Sequence, residues 1–207
     1  MSFRQGLERL SAQGELKASL LLVALTHFAA RGYEGVQVKE VAEEAGVSKP
    51  TLYYHFGSKE GLFRQLCLVT LSVTERRVQA MVAPLLDHPA DSPETVRAAC
   101  ERLASEYMEL LLEVPEFTGF ILRSIAVPAP DSGFRDLMPL AERALSPIGL
   151  FLHRMFGFPL DAARREVMLF TGIMAQLLEE KLRRPDFVVG EAELHWAVGR
   201  WLRGLQG

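Results

Sequence analysis

The sequence predicts an all-α protein, and three observations predict it. Apolar residues recur at three- and four-residue spacing along nearly the whole chain, β-branched runs framed by tight turns are scarce, and prolines and glycines cut the chain into helix-length pieces. The 207 residues, 49% of them hydrophobic and 24% charged, suffice for one ordinary core or two small ones and exclude disorder as the dominant state.

The first helix is predicted from about Glu15 to Arg31, where Leu16, Leu20, Val23, Ala24, His27 and Phe28 keep to one stripe and Gly32 stops it. A short helix follows from about Val38 to Ala45, ended by Gly46. Ser48 can cap the next, with Pro50 in its first turn where a missing N–H does no harm, and that helix ends near Phe56 and Gly57. A long helix runs from Ser58 to about Leu86. Ser92, Pro93 and Glu94 then read as a cap, a first-turn proline and an acid suited to the helix dipole, opening a helix to about Glu113. Further helices are predicted near 116–126, 133–156, 161–184 and 190–205, with Pro147 expected to kink or split its segment. The natural division is a small helical domain over 1–57 and a larger one over 58–207.

The net charge of −3 provides no global attraction to nucleic acid, so any such partner must be met by a local patch. The segment Val38 to Phe56 can supply one. Its short helix, Gly46-Val47-Ser48 turn and second short helix have helix-turn-helix spacing, with Val41, Ala42, Val47 and Leu52 placed to hold the two helices together. That leaves the second helix an exposed face carrying Lys49, Thr51, Tyr53, Tyr54 and His55, flanked by Lys39 and Lys59. The first 64 residues carry eight Lys and Arg against seven acids, so the attraction is local rather than domain-wide. The alternative for Tyr53-Tyr54-His55-Phe56 is an aromatic cluster closing a small core.

The stretch Leu21 to Leu66 contains Phe28-Ala29-Ala30-Arg31-Gly32-Tyr33, Val41-Ala42-Glu43-Glu44-Ala45-Gly46-Val47-Ser48 and Thr51-Leu52-Tyr53-Tyr54-His55-Phe56-Gly57-Ser58-Lys59-Glu60-Gly61-Leu62. It resembles the DNA-binding domain of the tetracycline-repressor (TetR) family of bacterial transcriptional regulators. The resemblance covers about a quarter of the chain. It implies some nine helices, a homodimer, a palindromic double-stranded DNA operator, and repression released by a small molecule. Position by position, it places Ser48, Lys49, Pro50, Thr51 and Tyr53 where bases and nearby phosphates are met, Tyr54, His55 and Lys59 at phosphates, and Lys39 within reach of a base edge. One departure stands at Gln37, where a small hydroxyl residue usually caps the second helix and touches a phosphate. Arg4 and Arg9 could form a minor-groove arm or a solvated tail.

Beyond Leu66 the resemblance fades. Phe170, Gly172, Met174 and Leu178 on one predicted helix, with Trp196, Gly199 and Leu202 on the last, suit either a two-fold interface, as in the family, or plain core packing. Tyr107, Met108, Phe117, Phe120, Phe134, Phe151 and Met155 suit either an apolar ligand cavity or a filled core, with Tyr107, Arg123 and His153 as candidate polar contacts for a largely apolar effector.

Catalysis finds no candidate. The five histidines are scattered without metal-ligand spacing, no nucleophile elbow or Gly-rich phosphate loop is present, and no cofactor is implied. Two isolated cysteines, a charged opening segment and uncharged runs well below the roughly 20 residues of a membrane helix point to the cytoplasm and away from a membrane. The expectation is a ligand-responsive, homodimeric transcriptional regulator, a repressor, with two alternatives: a DNA-binding module governed by a protein partner, and an all-α hydrophobe carrier.

Overall fold

The computed structural model of the protein describes residues 14–87, 92–126 and 137–205, without the side chains of 116, 123–126 and 205. Among the described residues the elements are nine α-helices and no strand: α1 Glu15–Gly35, α2 Val38–Glu44, α3 Lys49–Phe56, α4 Lys59–Asp87, α5 Pro93–Leu112, α6 Pro115–Ala126, α7 Met138–Phe156, α8 Leu160–Arg183 and α9 Glu191–Leu205.

Local chemistry explains most boundaries. The backbone of α1 breaks at Gly32, whose φ of 68° suits a residue without Cβ, and a last turn continues past it to Gly35. Ser48 caps α3 by accepting the Thr51 N–H at 3.2 Å, and Gly57 closes that helix at φ 75°. Ser58 caps α4 in the same way, accepting the Gly61 N–H at 3.0 Å. Gln37 precedes α2 without a side-chain cap, as its long amide predicts. The expected break at Pro147 does not divide α7, which continues through it to Phe156. The ring removes one N–H from the ladder, and the Ser146 hydroxyl donates to the stranded Arg143 carbonyl at 2.8 Å.

By packing, the chain divides into two compact units. The first joins α1 to α3, α4 through Val73, and α6; the second joins the rest of α4 with α5, α7 from Glu142, α8 and α9. In the first, Leu20, Ala24 and Phe28 of α1, Val41 of α2, Leu52 of α3 and Leu62 and Leu66 of α4 are fully buried in one core. Its centre is aromatic: Phe63 meets Phe28 edge-on at 4.8 Å and Phe120 of α6 at 5.7 Å between ring centroids. In the second unit α5 packs on α9 and α8, and Phe170 lies between Tyr107, at 5.6 Å, and Trp201, at 5.0 Å. Among the described residues no helix is long and apolar enough to cross a membrane.

Candidate nucleic-acid interface

Helices α2 and α3 are joined by four residues that the backbone itself holds. The Val47 N–H donates to the Ala42 carbonyl at 2.9 Å, Gly46 turns the chain at φ 70°, and Val41, Ala42 and Leu52 are buried beneath. In α3 the buried pair Leu52 and Phe56 recurs at i, i+4, which puts Pro50, Thr51 and Tyr54 on the opposite side of the helix. Tyr54 is 87% exposed, an unusual position for so large a ring without a partner surface. Lys49 stands beside the half-buried Tyr53 with its ammonium 5.3 Å from the ring centre, so the aromatic face steers the cation. His55 meets Tyr54 edge-on at 5.4 Å. The Thr51 hydroxyl bonds with that of Ser48 at 2.8 Å, at the N-terminal end of the helix.

The flanking lysines differ. Lys39 is exposed on α2, 3.5 Å from Glu43 of the same helix, an ion pair too solvated to hold it. Lys59 is engaged within the unit: its ammonium donates to the Glu34 carbonyl at 3.2 Å and lies 4.7 Å from the Tyr33 ring centre. Burial foremost, then the carboxylates of Glu60 and Glu34, raise the Tyr33 phenol above its ordinary value, which keeps that ring neutral beneath the cation. Thus Lys39, Ser48, Lys49, Pro50, Thr51, Tyr53, Tyr54 and His55 gather on one helix pair, while Lys59 ties the start of α4 to the end of α1. Arg4, Arg9 and Phe134, with the Arg123 side chain, lie outside the described residues.

The other expected sites are distributed differently from their sequence grouping. Phe117 and Phe120 belong to the core of the first unit. Tyr107, Met108 and Phe151 are buried in the second, where burial raises the Tyr107 phenol well above its usual value. The His153 ring is taken by the Phe158 carbonyl, 2.5 Å from its Nδ1, and Met155 is half-buried. Of the expected interface residues, Phe170, Met174, Leu178 and Leu202 pack inside their own unit, and Gly199 is buried near the Arg97 guanidinium of α5. Gly172 and Trp196 are exposed, and the apolar surface of α8 is carried by Met168, 73% exposed, and Leu169, 58%.

Sequence reasoning missed two features of the first unit. Gly61 is one: a Cβ there would stand 1.9 Å from the Phe56 carbonyl oxygen, so only glycine fits the α3 to α4 junction. The other is His27, read as part of an apolar stripe but facing carboxylates on α2. Glu40 and Glu44, at i, i+4 opposite a buried histidine, were the available signal.

Two helices packed through a shared apolar contact, a tight turn between them and a short capped helix presenting cation, hydroxyl and phenol edges define a helix-turn-helix head of the nucleic-acid-reading class. Residues 20–66 match the family model described as bacterial regulatory proteins, tetR family, and this domain belongs to that family. The chain is 38% identical over 90 residues to the HTH-type transcriptional activator FasR of Mycolicibacterium smegmatis, a match covering 42% of this chain and 38% of that one. It is 33% identical over 109 residues to the HTH-type transcriptional regulator RutR of Escherichia coli K12, covering 52% and 44%. The chain thus aligns with less than half the length of these curated relatives, which are transcriptional regulators rather than enzymes. A solved structure from Mesorhizobium loti MAFF303099, described as a TetR-family transcriptional regulator, shares the fold at TM-score 0.69 and 20% identity over 92% of this chain and 94% of its own.

Proposed function

We propose that the chain is a homodimeric, cytoplasmic transcriptional repressor that lays α3 in the major groove of a palindromic operator and leaves it when a small, largely apolar molecule binds the second unit. The observation that carries this reading is the exposed face of α3. Tyr54 stands bare beside Lys49, Pro50 and Thr51 on a helix of eight residues, inside a domain of a DNA-reading family. Lys49, Tyr54 and His55 then meet phosphates and base edges, and Lys39 reaches a guanine edge from α2.

So short a helix binds weakly alone, and two heads spaced about 34 Å apart make a specific site. Met168, Leu169 and Gly172 on α8 with Trp196 on α9 supply the apolar surface for a second copy. The aromatic centre of the second unit, Tyr107 and Phe170 with Phe151 and Met108 buried in the same unit, is the proposed seat of the effector, with the Tyr107 hydroxyl as its polar contact. An effector that binds the dimer with mismatched heads more tightly than the DNA-bound form shifts the population off the operator.

The test is selection of DNA fragments by the purified chain, then titration of the winner at two salt concentrations. The expected result is a palindrome bound with a steep salt slope, which Lys49→Ala lowers by about one unit. Sequence-indifferent binding would remove the reading. Met168→Glu and Trp196→Glu are expected to yield monomers in sedimentation, and a dimer that survives both would place the interface elsewhere.

A further inference from the structure

His27 is a buried polar side chain in the first unit, 7% exposed, and the reading surface does not include it. Its Nε2 lies 2.7 Å from Glu44 Oε2, so a ring N–H donates to that carboxylate across the α1 to α2 contact. Its Nδ1 is buried with no hydrogen-bond partner and lies 3.9 Å from Glu40 Oε2, and Glu40 is held in turn by Arg31 of α1. Glu40 and Glu44 share one side of α2, so α1 grips that helix along a full turn.

We propose that His27 is a positioning residue for DNA recognition, fixing the rotation of α2, and with it the aim of α3, through its hydrogen bond to Glu44. This rests on the DNA-binding role proposed above. Glu44 is the last residue of α2, and the turn that follows leads directly to the Ser48 cap of α3, with Val47 bonded back to Ala42. The apolar contacts of Val41, Ala42 and Leu52 set how closely the helices approach but are non-directional. A hydrogen bond at 2.7 Å resists rotation, because its strength falls steeply with angle.

Stability and aim separate here. Glu44 and Glu40 are 57% and 38% exposed, so solvent screens the cluster and it adds little to folding. An apolar side chain of similar size would also relieve the partnerless Nδ1, which by itself favours folding.

The test measures operator affinity and thermal midpoint for His27→Leu, His27→Gln, Glu44→Ala and the His27→Leu, Glu44→Ala pair. His27→Leu is expected to bind the operator about tenfold more weakly, the loss of one hydrogen bond to a charged group, with its midpoint unchanged or raised. His27→Gln places an amide N–H near the Nε2 position and should stay within about threefold of the parent. Glu44→Ala should match His27→Leu, and the pair should be no weaker than either alone. Parent-like affinity in His27→Leu overturns the proposal, as do equal losses in the Leu and Gln variants or losses that track a falling midpoint. A parent chain that selects no DNA site would sink the DNA reading first and the positioning role with it, before any variant is made.

Discussion

The two compact units are built from the same material and spend their surfaces differently. The first gathers Phe28, Phe63 and the half-buried Phe120 at its centre, and shows the outside a cation, hydroxyls and one phenol on a short helix. The second also has an aromatic centre, Tyr107, Phe170 and Trp201, yet leaves Met168, Leu169 and Trp196 bare on α8 and α9. A polar face with fixed donors suits a charged polymer, whereas an exposed apolar face suits burial against protein. The difference teaches that core composition does not distinguish the two units; what each leaves uncovered does.

The largest expected effects come from the two aromatic centres. Phe63→Ala and Phe170→Ala should each destabilise by about 3–5 kcal/mol in denaturant melts. Operator binding should vanish with the first and persist, at temperatures below melting, with the second. Equal losses of binding would show that the units are not separable and would break the comparison.

Next comes the α3 to α4 junction. Gly61→Ala drives a Cβ into the Phe56 carbonyl, and a backbone neighbour cannot swing aside, so a loss of about 1–3 kcal/mol is expected along with weaker operator binding. Gly204→Ala in the second unit meets open space and should be stable, which makes it the matched control.

Smaller effects separate the units through one shared device. Ser48 caps α3 and Ser92 caps α5, each accepting the N–H of the threonine three residues on. Ser48→Ala should cost about 1 kcal/mol. It should also weaken operator binding, since the capped helix has only eight residues, while Ser92→Ala on the twenty of α5 should leave binding intact.

The smallest effect is a pH dependence. Hydrogen bonding at the α5 N-terminus, first from the Glu94 backbone and then from the Ser92 side chain, holds the Glu94 carboxyl below the ordinary carboxylate range. A folded-state value lower than the unfolded one favours folding at neutral pH, and that increment disappears as pH falls through the lowered value. Acid melts of Glu94→Gln should lose only this slope, and an unchanged slope would remove the assignment.

Much of the first unit was legible because its determinants are local. Ser48, Pro50, Gly57 and the Val41, Ala42, Leu52 spacing act within a few residues of themselves, so their sequence positions already state their geometry. Lys59 shows where that stops: the contact of its ammonium with the Glu34 carbonyl joins residues 25 positions apart, which no local pattern states. His27 keeps to the buried stripe as expected, but its carboxylate partners, 13 and 17 residues away, were not legible for the same reason.

The sequence by itself determined the all-α class, nearly every helix boundary and the helix-turn-helix head, because capping, turns and i, i+4 burial are short-range physics. Only the tertiary structure decided which apolar residues are core and which are surface. Met174 and Met168 lie on one helix six residues apart, and Met174 is buried while Met168 is 73% exposed. Periodicity marks a stripe, but which neighbouring helix covers it depends on contacts between segments far apart in the chain. Those contacts also joined Phe117 and Phe120 to the first unit and set a buried histidine against the carboxylates of α2.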